Sequence, residues 1–125
     1  MITPEMIAKA GSEHAHQSAL FCWAAQNCGQ YPQLKFMHAI PNGGLRDIRT
    51  ASGLKAEGVK AGVLDIFLPY PTNEWNGLYI EMKYGKNRLT EDQKEFIAFV
   101  QKYYDYGVYY TWQEARDKII RYLEE

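Results

Sequence analysis

Apolar residues recur along the chain at two different spacings, which predict its helices and strands. Helical spacing covers residues 13–26, 90–104 and 113–124, with a weaker, more polar pattern over 45–57. Runs rich in β-branched and aromatic residues predict strands at 34–40, 63–70, 77–85 and 106–112. The order α-β-(α)-β-β-α-β-α predicts an α/β fold, with a mixed β-sheet flanked by helices in a single domain over residues 1–125.

The two central strands are predicted to pair as an antiparallel hairpin. Segments 63–70 and 77–85 are consecutive, and their connection contains proline, asparagine and glycine, which favour a loop. Both segments are largely apolar, as in strands that are buried on both faces. Asp65, Glu81 and Lys83 interrupt this apolar pattern. Charged residues in such a hairpin need a chemical explanation.

The pairing register decides whether the three charged side chains share one face of the sheet. Glu81 and Lys83 are two residues apart on one strand, so they share a face and lie about 6–7 Å apart. If the numbers of paired residues sum to 146, Asp65 lies opposite Glu81; if they sum to 148, it lies opposite Lys83. Either register places all three on one face. A sum of 147 would turn Asp65 to the side of Met82.

Two interpretations of this charged group imply different chemistry. In the first, Lys83 forms an ion pair with a carboxylate at a solvated sheet edge. In the second, Asp65 and Glu81 are buried, where two carboxylates repel and lose hydration unless a cation joins them. Oxygen ligands suit Mg²⁺ or Mn²⁺, and the backbone carbonyl of Met82 is a further candidate ligand. With Lys83 beside an attacking water, this set suits phosphodiester hydrolysis.

Composition constrains the partners and the compartment. The chain has 125 residues and a formal net charge of −1, so any surface for nucleic acid must be local. Cys22 and Cys28 point to different faces of a predicted helix, which favours free thiols and a cytoplasmic setting. No apolar run approaches the length of a membrane span, and no secretory signal is evident. We therefore expect no membrane association.

Four segments, in their order and spacing, resemble the virus-type replication-repair nuclease (VRR-NUC) family of the PD-(D/E)xK superfamily. They are HAIPNGG at 38–44, LKAEGVKAGVLDIFLP at 54–69, GLYIEMK at 77–83 and RLTEDQKEFI at 88–97. The resemblance covers nearly the whole chain and implies a restriction-endonuclease-like core of the standalone phage or bacterial type. Leu64 precedes Asp65 where the family's usual pattern has proline, so the approach of the chain to Asp65 is expected to differ slightly.

The resemblance implies that Asp65, Glu81 and Lys83 are catalytic and adds two residues to them. Glu13, in the first turn of a helix, would assist metal or water binding, directly or through a water. Its alternative role is to favour the helix dipole. Gln93 would be an active-site partner, although it also ends a predicted capping box and so has a structural role in its own helix.

Polar residues near the predicted site are candidates for contact with DNA. Basic side chains bind phosphates without reading sequence, although solvated surface charge is the alternative for each of them. The candidate DNA-binding residues are Asn42, Arg46, Lys60, Lys86 and Arg88. His14 and His16 diverge on their predicted helix, so we do not expect a zinc site.

The expected function is a Mg²⁺- or Mn²⁺-dependent deoxyribonuclease that cuts branched DNA such as four-way junctions. No sequence-reading motif is evident, and standalone family members resemble junction resolvases, which implies a homodimer. No organic cofactor is expected, and the location is the cytoplasm, or that of the host cell for a phage-encoded chain. Two alternatives stay open: a non-catalytic nucleic-acid-binding domain with a nuclease fold, and a monomeric flap or single-strand nuclease.

Overall fold

The computed structural model describes residues 1–41 and 48–125, and it confirms a mixed sheet flanked by helices. The α-helices are α1 (Pro4–Ala8), α2 (Glu13–Gln26), α3 (Ile48–Ala56), α4 (Glu91–Val100) and α5 (Trp112–Glu124). The strands are β1 (His38–Ala39), β2 (Ile66–Leu68), β3 (Leu78–Met82) and β4 (Asp105–Tyr109), and a 3₁₀ helix spans Pro32–Phe36.

Hydroxyl caps determine where four of the helices begin. The side chains of Thr3, Ser12, Thr90 and Thr111 each accept a hydrogen bond from a backbone N–H in the first turn of the helix that follows. These bonds satisfy donors that have no partner within the helix. Thr90 and Thr111 belong to full capping boxes, in which a side chain three residues later bonds back to the cap residue. The starts of α4 and α5 are therefore encoded locally.

The described strands form one sheet in the order β1-β2-β3-β4. β2 pairs antiparallel with β1 and β3, whereas β3 pairs parallel with β4. Ile66 lies opposite Ile80 and Leu68 opposite Leu78, so the register between β2 and β3 follows the sum of 146. This is one of the two registers that bring the charged residues together.

All four strands are shorter in the structure than the sequence predicted, and the strands predicted over 34–40 and 63–70 differ most. The prediction of a strand over 34–40 was wrong in its first half, because Pro32 begins a 3₁₀ helix and leaves only His38–Ala39 in the sheet. The strand predicted over 63–70 is limited to Ile66–Leu68. Asp65 lies in a bend directly before this strand, and Gly62, three residues earlier, has a φ of +93°.

The two faces of the sheet differ in chemistry. Leu78, Ile80 and Met82 are fully buried on one face, within a core that includes residues of α2 and α5. Fully burying a large apolar side chain contributes about 1.5–3 kcal/mol. The opposite face carries Tyr79 and Glu81, and α4 lies against it: the rings of Tyr79 and Phe96 are 5.2 Å apart. The carboxylate of Glu81 therefore lies beneath α4, away from the large core.

Two further expectations concern the cysteines and the membrane. Cys22 and Cys28 are both free thiols, as predicted. Within residues 1–41 and 48–125, no helix combines the length and the apolar character that crossing a bilayer requires.

Candidate functional site

Asp65 and Glu81 hold each other through the backbone. Asp65 lies directly before β2, and its N–H donates to Glu81 Oε1 at 3.0 Å. In return, the N–H of Met82 donates to Asp65 Oδ2 at 3.3 Å. The register between β2 and β3 places these residues level with each other, so each carboxylate accepts a bond from the opposite segment. Both carboxylates are thereby oriented by main-chain groups.

Glu13 reaches the same place from the first turn of α2. One carboxylate oxygen from each of Glu13, Asp65 and Glu81 can be chosen so that all three lie within 4.8 Å of one another. Ser12 starts α2 by accepting the N–H of Ala15 at 3.0 Å, which fixes the turn that carries Glu13. Glu13, which the family resemblance implied as an active-site residue, therefore lies beside Asp65 and Glu81.

Lys83 extends beyond β3 and turns its amine back to Glu81. Its Nζ lies 3.3 Å from Glu81 Oε2, and the side chains are only 10% and 2% exposed. The N–H of Lys83 donates to the carbonyl of Tyr109 at 2.9 Å, which continues the pairing with β4. The first interpretation was right about the ion pair and wrong about its setting, because the pair is buried instead of solvated.

Gln93 has both of its predicted interactions at once. Its Oε1 accepts the N–H of Thr90 at 3.0 Å and completes the capping box. Its Nε2 donates to Glu81 Oε2 at 2.8 Å. The side chain is buried, so both ends of the amide are used where water has little access. Gln93 thus ties the start of α4 to the acidic cluster formed by Glu13, Asp65 and Glu81.

The carboxyl groups of the acidic cluster are partly desolvated and repel one another. Burial and, next, the Asp65 carboxylate together raise the pKa of Glu81 to about 7, against opposing effects of Lys83 and Gln93. Burial and then Asp65 also raise the pKa of Glu13. Three carboxyl groups and one amine leave an excess of negative charge when all are ionised. An all-oxygen set with this excess fits a hard divalent cation such as Mg²⁺ or Mn²⁺.

The candidate DNA-binding residues are only partly covered by the structure. Lys60, Lys86 and Arg88 are exposed, and the last two lie in the segment between β3 and α4. The Tyr110 hydroxyl donates to the carbonyl of Asn87 at 2.7 Å and so anchors this segment. Asn42 and Arg46 lie outside the described residues. Contact of these five residues with DNA stays a prediction.

Two features near the site were not identified from the sequence. The carbonyl of Tyr109 accepts the N–H of Lys83, and such a main-chain interaction leaves no signal in residue type. Gly62 adopts a φ of +93°, and a glycine three residues before a charged strand position could have indicated a special backbone conformation. His16, which was not expected to bind zinc, has a structural role: its Nδ1 accepts the N–H of Trp112 at 3.0 Å.

Comparisons with known proteins point to one family. The family model of the VRR-NUC domain matches residues 3–111. A solved structure described as a VRR_NUC domain protein has a TM-score of 0.75 with this chain at 25% sequence identity, and the match covers 90% of this chain and 88% of that chain. No curated protein matches the chain. Sequence family and fold thus agree over most of the chain.

Proposed function

The chain belongs to the VRR-NUC domain family, and from that premise we propose that it is a divalent-metal-dependent DNA endonuclease. The observation that carries the proposal is the acidic cluster with Lys83 beside it. A purely structural sheet has no evident use for three carboxyl groups whose oxygens lie within 4.8 Å of one another. Phosphodiester hydrolysis uses such a set.

Asp65 and Glu81 would hold the metal, Glu13 would bind it directly or through a water, and the carbonyl of Met82 would be a further ligand. When bound, Mg²⁺ or Mn²⁺ lowers the pKa of a coordinated water and offsets charge that develops on the phosphate oxygens. The residues of the chain pre-orient this set. Glu81 accepts hydrogen bonds at both oxygens, from the N–H of Asp65 and from Gln93, so its carboxylate is held before a metal arrives.

Lys83 is the residue that acts on the reacting groups. Its amine is held near Glu81 Oε2, buried and close to the three carboxylates. As a cation it can donate to the attacking water or to a phosphate oxygen, and its charge stabilises the negative charge of the transition state. Gln93 assists from the other side, because its amide keeps Glu81 Oε2 in place while α4 keeps the amide itself in place.

The substrate in this proposal is branched DNA, cut according to its structure. Lys60, Lys86 and Arg88 offer exposed positive charge for phosphates, and Asn42 and Arg46 are further candidates for DNA contact from the sequence alone. Phosphate contacts position a duplex without reading its bases. A homodimer acting in the cytoplasm would supply one active site for each of two strands of a four-way junction.

The proposal is tested by cleavage of four-way, flap, single-stranded and linear duplex DNAs with Mg²⁺, with Mn²⁺ and with a chelator. We expect metal-dependent cutting of the branched substrates, lost in Asp65→Ala and Lys83→Ala. Asp117→Ala and Lys94→Ala are matched controls, because these two side chains are exposed. We expect both control variants to retain wild-type cleavage. Unchanged cleavage by Asp65→Ala and Lys83→Ala would contradict the proposed active site.

Two other results would favour the alternatives that the sequence left open. If all DNAs are bound and none is cut with either metal, a non-catalytic binding domain is the better description. If flaps or single strands are cut by a species that sediments as a monomer, the junction and homodimer assignments are wrong while the metal site stands.

A further inference from the structure

We infer that Gly62 is a positioning residue, which sets the spacing between Asp65 and Gln93 on the two sides of Glu81. This inference rests on the proposed function of the same site. It gives a role to a residue without a side chain, in the segment that leads to Asp65. The backbone of Gly62 lies close to that of Asp92, and two hydrogen bonds to Glu81 depend on this closeness.

Gly62 lies against the first turn of α4 at a distance that only glycine permits. A Cβ built on Gly62 would lie 2.6 Å from the carbonyl oxygen of Asp92, 2.7 Å from its carbonyl carbon and 2.9 Å from its Cβ. The first two are backbone atoms inside a helix, so they cannot rotate away as a flexible side chain could. The φ of +93° adds a second requirement for glycine at this position.

The two segments that meet at this contact are the ones that hold Glu81. Asp65 follows Gly62 by three residues, and its N–H donates to Glu81 Oε1 at 3.0 Å. Gln93 follows Asp92 directly, and its Nε2 donates to Glu81 Oε2 at 2.8 Å. The Glu81 carboxylate is thus held between these two donors, and the closeness of Gly62 to Asp92 sets how far apart they lie.

A side chain at position 62 would force the first turn of α4 away from Asp65. Ordinary van der Waals contact begins at 3.4 Å, so the carbonyl oxygen of Asp92 would have to move from 2.6 Å to at least that distance from the new Cβ. The amide of Gln93 would move with the turn, because Thr90 holds it in the capping box. The hydrogen bond from Gln93 to Glu81 Oε2 would then weaken, or the Glu81 carboxylate would rotate toward Gln93. Either change would move the Glu81 carboxylate relative to those of Asp65 and Glu13.

The experiment compares Gly62→Ala with Gly58→Ala. Gly58 has a φ of +98°, but none of the atoms that the structure describes lies within 4 Å of a Cβ built on it, so it carries the same backbone strain without the collision. We expect Gly62→Ala to weaken Mn²⁺ binding by titration calorimetry, and to lower kcat, by about 10–100-fold, as for residues that orient metal ligands. Gly58→Ala should retain wild-type values for both. Gly62→Asn adds a variant that tolerates positive φ but still has a Cβ.

A double-mutant cycle with Gln93→Ala separates positioning from a general loss of stability. If Gly62 acts through Gln93, then Gly62→Ala should change Mn²⁺ affinity much less in the Gln93→Ala background, whereas it should lower the melting temperature in both backgrounds. Equal Mn²⁺ affinity and kcat for Gly62→Ala, Gly62→Asn and Gly58→Ala would overturn the inference and leave the nuclease proposal intact. So would a full, additive loss of affinity in the Gln93→Ala background. A wild-type protein that binds no Mn²⁺ and cuts no DNA would instead overturn the nuclease proposal and, with it, this role of Gly62.

Discussion

Replacing Asp65 by asparagine should stabilise the metal-free protein while removing its response to metal. Asparagine keeps a side-chain oxygen to accept the N–H of Met82, so the local hydrogen bond survives. It removes one of the negative charges that face Glu81. The expected gain in stability follows from the repulsion that is relieved, and the loss of function follows from the missing ligand.

The size of the gain follows from the distance between the charges. Carboxylate oxygens of Asp65 and Glu81 lie within 4.8 Å of each other. At that separation two unit charges repel by about 3 kcal/mol at an effective dielectric constant of about 20, and by about 1 kcal/mol in water. We therefore expect the free energy of unfolding to rise by about 1–3 kcal/mol at pH 8 in a chelator. The melting temperature should rise by about 3–10 °C.

The stability advantage of Asp65→Asn should depend on pH in a direction set by the pKa of Glu81. The pKa of Glu81 is raised from 4.5 to about 7 in the folded protein. A carboxyl group with a raised pKa contributes stability that is fully present below pH 4.5 and is lost as the pH rises through about 7. Because Asp65 is one cause of that raised pKa, the advantage of Asp65→Asn should be largest above pH 7 and should shrink toward pH 4.5.

The assay is urea unfolding followed by circular dichroism, at pH 5 and pH 8, in chelator and in Mn²⁺. Mn²⁺ at about 1,000 times its dissociation constant should stabilise the wild type by about 4.1 kcal/mol and leave Asp65→Asn nearly unchanged. Because this gain exceeds the expected advantage of Asp65→Asn, the order of stability should reverse. Asp105→Asn is the matched control. The Asp105 carboxylate is 2.6 Å from Lys118 Nζ, so this variant should lose stability in both buffers. An Asp65→Asn protein that is less stable than wild type at pH 8 in chelator would refute the reasoning.

Three other substitutions test neighbouring parts of the structure. Lys83→Met keeps the length of the side chain without its charge, so cleavage should fall by about 10²–10⁴-fold while Mn²⁺ binding persists; wild-type turnover would contradict the assigned role. Thr90→Ala removes the hydroxyl that accepts the backbone N–H of Gln93 and should cost about 1 kcal/mol in urea unfolding. We expect a lower kcat because the first turn of α4, which carries Gln93, is then less firmly held; an unchanged kcat would show that the cap does not affect the site. Tyr122→Phe deletes the hydroxyl that donates to the carbonyl of Tyr70 at 2.6 Å and should cost about 1 kcal/mol with kcat unchanged; a comparable loss of kcat would show a link to the site that the structure does not contain.

The amino-acid sequence alone determined the features of this protein that depend on neighbouring residues. The spacing of apolar residues predicted α2, α4 and α5, and the capping box that ends at Gln93 predicted the start of α4. Asp65, Glu81 and Lys83 could be singled out because charged residues are rare in strands that are otherwise apolar. These signals are local, since helix periodicity and capping act within one or two turns.

Tertiary structure decided what depends on residues that are distant in sequence. The hairpin pattern allowed three registers, and packing of Ile66 against Ile80 selected the one that places Asp65 beside Glu81. The dual use of Gln93 and the approach of Glu13 require α4 and α2 to dock on the sheet, which no local pattern specifies. The closeness of Gly62 to Asp92 is likewise a contact between backbones. The sequence pattern could identify the charged residues, but the distances between them, on which their chemistry depends, are set only when the helices and the sheet pack together.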